Sequence, residues 1–265
     1  MDIDRTTQLY FSPTHTTRKI VEAIARGIGA AESDRIDLTP PSGTWQPAAV
    51  IGGLAIIGAP VYGGRLPAEA ISRLRRISGN GTPAVIVAVY GNRAYEDALL
   101  ELRDVAREIG FAPIAAGAFI GEHSYSGAAT PIAAGRPDAA DLQLAEEFGT
   151  AAREKLRRLG PAAEWPLLPV PGTFPYKEWP GLAGIAPLTR EASCVRCGVC
   201  VAACPTAAIT LGETVTTDAE RCIKCCACVK SCAPAARLMD NPRLQQVAEM
   251  LSANCRERKE PETFL

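Results

Sequence analysis

The sequence predicts an α/β chain in two parts: a doubly wound, five-stranded parallel sheet, then a small α+β module organised by cysteines. Two observations predict this. Over residues 1–160, apolar β-branched runs alternate with loops and amphipathic helical segments, the pattern of a parallel sheet with helices on both faces. Eight of the 10 Cys then fall on two copies of one spacing, CxxCxxCxxxC, at Cys194 to Cys204 and Cys222 to Cys232. The 265 residues, 47% of them hydrophobic, suffice for one sizeable core and a small second module.

In order, Thr6 to Phe11 reads as a strand, SPTHTT as a loop and KIVEAIARGIG as a helix with apolar positions at helical spacing. The loop gathers the hydroxyls of Ser12, Thr14, Thr16 and Thr17 near the free amides of a helix N-terminus, which suits a phosphate without an Arg or Lys clamp. A single Ser or Thr there would be an ordinary cap. Four hydroxyl residues in six positions exceed what a cap needs.

Ala49 to Pro60 is the next apolar run, with Leu54 to Ile57 as a strand buried on both faces. It ends in PVYGGRLP, where Pro60, Gly63, Gly64 and Pro67 make a rigid loop and Tyr62 is its planar group. In the helix LPAEAISRLRRI, Arg73, Arg75 and Arg76 read as a solvated face. A strand over Ala84 to Tyr90 leads through Gly91 and Asn92 to Tyr95 and another helix. A fifth strand spans Pro113 to Ile120. Glu122 to Pro137, the one candidate lid, follows with His123, Ser124 and Tyr125, and a helix then runs to Leu159. Ligands of such sheets bind past the carboxyl ends of the strands, and these loops share that rim.

Residues 161–190 are rich in Pro and carry Trp165, Phe174, Tyr176 and Trp179, so they are expected to lie extended and pinned on the sheet domain. Residues 191–240 form the cysteine module. Pro242 opens a short amphipathic helix within residues 241–265, and the tail RERKEPETFL is expected to be loose.

Each cysteine run has the spacing in which three thiolates hold three corners of a cubic iron-sulfur cluster while the fourth reaches the other cluster. The expected ligands are Cys194, Cys197, Cys200 and Cys232 for one 4Fe-4S cluster, and Cys222, Cys225, Cys228 and Cys204 for the other. Structural zinc gives no reason for a third evenly spaced Cys and a fourth near Pro, and disulfides need an oxidising compartment. Cys226 and Cys255 read as packed or surface thiols. Residues 191–240 resemble the two-cluster ferredoxins, with two departures. Pro234 comes one residue later after Cys232 than Pro205 does after Cys204, and Cys226 stands where that family often has Gly.

SPTHTT in turn resembles the flavin mononucleotide (FMN) phosphate loop of flavodoxins, with His15 at the usual Gly position and expected in solvent. The resemblance implies a flavodoxin-like fold. It carries FMN binding to Ser12, Thr14, His15, Thr16 and Thr17, to Pro60, Val61, Tyr62, Gly63 and Gly64, and to Tyr90, Gly91, Asn92 and Tyr95. Tyr62 and Tyr95 would stack on the ring. His123 either bonds the ring or relays a proton, or else fixes its own loop.

The order of the two parts is similar to flavodoxin-ferredoxin fusion proteins. That resemblance implies an electron carrier between FMN and two 4Fe-4S clusters, fed by a low-potential reductase and delivering to a separate metalloenzyme. A flavin-dependent reductase of a small substrate, and a ferredoxin with an empty docking domain, are the alternatives. No paired catalytic carboxylates, GxSxG or GxGxxG dinucleotide site appear. Met1 to Arg5 carries three charges and leads into no apolar segment, so a cytoplasmic protein is expected. The apolar stretch Ala48 to Gly64 is short and broken by Pro60, which excludes a membrane span. A net charge of -1 gives no nucleic-acid footprint. Within residues 191–240, Glu191, Glu213, Asp218, Glu220 and Asp240 balance Arg196, Arg221, Lys224, Lys230 and Arg237. Docking of that module is therefore expected to rest on shape and cluster charge.

Overall fold

The computed structural model describes residues 3–41, 46–159, 165–178, 181 and 183–265. β1 (Arg5–Tyr10) passes through a loop into α1 (Thr16–Ile28), and the chain returns along β2 (Glu32–Asp37). After the two-residue β3 (Ala48–Ala49) come β4 (Leu54–Pro60), α2 (Ala68–Leu74) and the short β5 (Ile77–Ser78). β6 (Pro83–Tyr90), α3 (Ala98–Glu108), β7 (Ala112–Ile120) and α4 (Ala139–Arg158) complete the alternation.

β2, β1, β4, β6 and β7 are hydrogen-bonded side by side in parallel. Counted along the chain, that order is 2-1-3-4-5, the flavodoxin-like version of the doubly wound sheet. Its pleat sorts the core. Leu9, Ile57, Ile86 and Ala116 are in register across four strands and face α2 and α3, while Ile56, Val85 and Ala115 face α1 and α4. β4 and β6 are buried along their whole lengths, as strands covered on both faces must be. The two helices of the second face touch backbone to backbone. A Cβ on Gly27 would sit 1.8 Å from the Glu146 carbonyl oxygen, and one on Gly149 would sit 2.2 Å from that of Ile24.

Three expectations are corrected here. β2, ESDRID, was not located from sequence because it is polar and mostly exposed at the sheet edge. The tail is not loose: β12 (Glu262–Phe264) pairs antiparallel with β7 and becomes the sixth strand. Arg73 does not belong to a solvated face. It is 4% exposed and donates to the carbonyls of Leu38, Thr39, Pro40 and Pro205, so one guanidinium caps a turn of the sheet domain and a turn of the cysteine module.

The Pro-rich segment lies against α3 as expected. Leu168 is buried in the core, the amides of Thr173 and Lys177 donate to the Asp97 carboxylate, and the Tyr176 hydroxyl donates to Asp104. Trp179 lies outside the described residues.

The C-terminal module is built from two short antiparallel pairs and two single-turn helices. β8 (Leu188–Thr189) pairs with β11 (Arg237–Leu238), and β9 (Ile209–Leu211) pairs with β10 (Val215–Thr217). α5 (Val199–Ala202) and α6 (Ala227–Lys230) follow the two cysteine turns. α7 (Pro242–Asn254) starts on an Asn241 cap, whose side chain accepts from the Arg243 amide, with Pro at the first position, where its missing N–H costs nothing. Among the described residues, no helix is long and apolar enough to cross a membrane.

Candidate functional site

The two cysteine turns repeat each other residue by residue. Arg196 and Gly198 in the first, and Lys224 and Cys226 in the second, all take positive φ, which bends each run so that its side chains point inward. Cys226 therefore occupies, at φ 57°, the left-handed position that Gly198 fills in the other copy. The loops after the fourth cysteines also agree. Ala207 and Ala235 both have positive φ, and their amides donate to the carbonyls of Cys204 and Cys232. The late Pro234 leaves that turn unchanged.

Two small cavities result. Cys194, Cys197, Cys200 and Cys232 line one, and Cys204, Cys222, Cys225, Cys226 and Cys228 line the other, so a fifth thiol borders the second cavity. All are free thiols. Among the described residues no three His, Cys, Asp or Glu side chains converge closely enough for a single ion, and each thiol set instead rings a volume. The first set is the outer one: Cys197 is exposed, with Val195 and Val199 exposed beside it, whereas Cys204, Cys225 and Cys228 are buried. Burial pushes the Cys225 thiol up to about 12, the neighbouring Cys228, Cys222 and Cys204 adding to the effect, so any metal bound through it would have to supply the free energy of deprotonation. The Ala208 amide donates to Cys204 Sγ at 3.2 Å, the kind of contact that tunes a cluster.

Arg237 was missed by sequence reasoning, which offers no signal for it. It is 2% exposed in β11, lines the first cavity and comes within 3.9 Å of Cys228 Sγ in the second set.

A third cavity, of about 760 Å³, opens where the sheet loops meet the module. That is within the range of cofactor pockets. Thr14 and Thr16 line it from the first loop, Pro60 to Gly63 from the second, and Tyr90, Gly91 and His123 from the rim beyond. The opposite wall is Cys222, Ile223 and Lys224 of the cysteine module with Met250 and Leu251 of α7. Sequence periodicity could not have brought these five to the sheet rim. Lys230 Nζ bonds Glu122 at 2.6 Å and helps fix the two walls together.

The remaining expected site residues lie elsewhere. Ser12 is buried, and its Oγ accepts from the Arg18 amide inside the first turn of α1. His15 is exposed, as expected, and takes φ 65°, the left-handed conformation Gly would supply and His tolerates. Thr17 is fully buried with an Oγ1 that has no partner among the described residues, a donor left over beside the loop. Gly64 turns away toward the Glu96 side chain.

Asn92 and Tyr95 do not line the cavity. Asn92 is buried and its amide donates to the carbonyls of Cys255 and Glu257. Tyr95 packs on Tyr90 at 5.5 Å between ring centres and donates to Glu262 of the tail strand. The tail has taken both.

His123 Nδ1 accepts from the Tyr125 amide, so the neutral ring carries its proton on Nε2. Burial, with the charges of Lys230 and Arg93, pulls its pKa down to about 4. The Glu122 to Pro137 segment is not a loose lid: Glu122 and His123 amides donate to Arg136 and Ile132 carbonyls, and buried Arg136 pairs with Asp141.

Residues 186–233 match the family model described as a 4Fe-4S dicluster domain. No curated protein matches the chain. Among solved structures, a flavodoxin from the domain Archaea is 14% identical, with 58% of this chain and 99% of that one covered and a TM-score of 0.38. Oxidised flavodoxin 1 from Bacillus cereus is 16% identical over 59% of this chain and 99% of its own, at 0.39. A flavodiiron core from Synechocystis is 18% identical over 59% of this chain and 37% of its own, at 0.41, so this chain spans little more than a third of it. The fold rests on the strand order itself. The chain thus joins a flavodoxin-like doubly wound domain to a C-terminal 4Fe-4S dicluster domain, in the manner of the flavodoxin-ferredoxin fusion proteins.

Proposed function

We propose that this protein is a cytoplasmic electron carrier in which FMN and two 4Fe-4S clusters work as one unit for separate redox proteins. The single observation that carries the reading is the shared wall. Cys222 and Ile223 line both the large cavity and the second thiol cavity, so two adjacent residues border two of the proposed cofactor sites. When bound, FMN exchanges one or two electrons and each cluster exchanges one.

The chain's residues divide the tasks. Cys194, Cys197, Cys200 and Cys232 would hold the outer cluster, and Cys204, Cys222, Cys225 and Cys228 the inner one. Thr14 and Thr16, with the N-terminal amides of α1, would hold the phosphate. Tyr62 offers the ring face, and burial holds its hydroxyl well above the ordinary tyrosine range, so it stays neutral. Ile223, Met250 and Leu251 give the opposite wall an apolar lining. Exposed Cys197, flanked by Val195 and Val199, is where a partner would dock.

The test is anaerobic purification with cluster reconstitution, then quantification of iron, sulfide and flavin and a dithionite titration. Two clusters require about eight iron per chain, with one FMN, all reducible. Eight iron without flavin sinks the flavin half and leaves a ferredoxin with a docking domain.

A further inference from the structure

We infer that Arg237 is a buried cation set between the two thiol sites, whose counter-charge is the clusters themselves and which raises the reduction potential of both. This rests on the two-cluster reading above.

A guanidinium removed from water is costly unless paired and hydrogen-bonded. Arg237 is 2% exposed, yet none of its partners among the described residues is a carboxylate. Nη1 donates to Thr189 Oγ1 and Nη2 to Thr217 Oγ1, each at 2.6 Å, and Nε has no partner. These neutral hydroxyls orient the group without neutralising it. The nearest groups able to carry negative charge are thiols: Cys228 Sγ of one set lies 3.9 Å from Nη2, and the side chain lines the cavity ringed by the other set. Each cluster ligated by four thiolates is anionic and gains one further negative charge when it takes up an electron. A fixed positive charge at this distance stabilises the reduced form more than the oxidised form, and little water intervenes to screen it. No bond forms or breaks. Arg237 acts through charge, as a positioning residue acts through contact.

The experiment is a dithionite-poised potentiometric titration of the reconstituted full chain, followed by paramagnetic resonance, for wild type, Arg237→Gln and Arg237→Lys. At a fixed potential, Arg237→Gln is expected to lower the reduced-to-oxidised ratio of both clusters by about tenfold or more, and tenfold is about 59 mV for a one-electron couple. Arg237→Lys is expected to stay near wild type. Unchanged potentials in a fully loaded Arg237→Gln, or a shift in one cluster only, overturn the inference. If Arg237→Gln does not load, Arg237→Lys decides by iron content. Full loading of the lysine variant supports a need for charge, and failure of both assigns Arg237 a purely structural role and overturns it. A wild-type chain without about eight iron would instead sink the function itself.

Discussion

Arg73→Met asks whether one guanidinium couples the two halves of the molecule. In the wild type, Nη1 bonds the carbonyls of Leu38, Thr39 and Pro40 at 2.7, 2.7 and 2.9 Å, and Nη2 reaches that of Pro205 at 2.5 Å. Met keeps most of the aliphatic stem, which limits the cavity. A hydrogen bond to a charged group is worth about 1.5–3 kcal/mol net, and three of the four share one nitrogen, so they count as roughly two independent bonds. Removing the buried cation recovers part of its desolvation cost, which here pulls the Arg73 pKa down. The balance is a loss of about 3 kcal/mol, or about 6–12 °C in melting temperature for a domain of this size. Pro205 adjoins Cys204, so the variant is also expected to lose iron faster in air. Scanning calorimetry and a timed iron assay on the reconstituted protein measure both. A melting temperature within about 2 °C of wild type, with unchanged iron loss, would show that the module docks independently of Arg73 and refute the reasoning.

Cys226→Ala should retain about eight iron per chain, whereas Cys225→Ala should lose the inner cluster; equal loss in both would make Cys226 a ligand. Tyr62→Ala should weaken FMN binding, read by fluorescence titration. Tyr95→Phe, which removes only the bond to Glu262, should leave FMN affinity intact and cost about 1.5–3 kcal/mol of stability; the reverse pattern would return Tyr95 to the flavin. His123 titrates at about 4 in the fold against about 6.5 unfolded, so the unfolded chain binds the proton first as pH falls. Its contribution is complete above pH 6.5 and lost progressively toward pH 4, by roughly 3–3.5 kcal/mol at most. His123→Gln should flatten denaturant midpoints across that window, and parallel profiles for the two proteins would count against the burial.

The ferredoxin-like half was legible because its pattern is local: cysteines two residues apart must share a turn, and the two groups line two cavities, with Cys226 added to the second. The central strands were legible because burial on both faces leaves unbroken apolar runs such as Leu54 to Ile57. β2 was not, since a polar edge strand looks like a loop. Asn92 and Tyr95 misled for a related reason. Their rim position was read correctly, but their partners, Cys255, Glu257 and Glu262, lie more than 150 residues away. Arg73 shows the same limit: three arginines close together in sequence look alike until the carbonyls of Pro205 and of the turn after β2 surround one of them.

β12 changes what kind of fusion this is. Because Glu262 to Phe264 pair with Ala116 to Ala118 of β7, the sheet domain is left at α4 and rejoined after α7, so the dicluster module is an insertion held at both of its ends. A module appended by one linker can swing, and its electron-transfer rate then follows linker length. One attached at both ends has less room to swing, and lengthening the Pro-rich segment alone would leave the β12 attachment in place. On a ribosome the order of events shifts as well: the sixth strand emerges only after both cysteine runs, so the completed sheet edge postdates the chain that takes up iron.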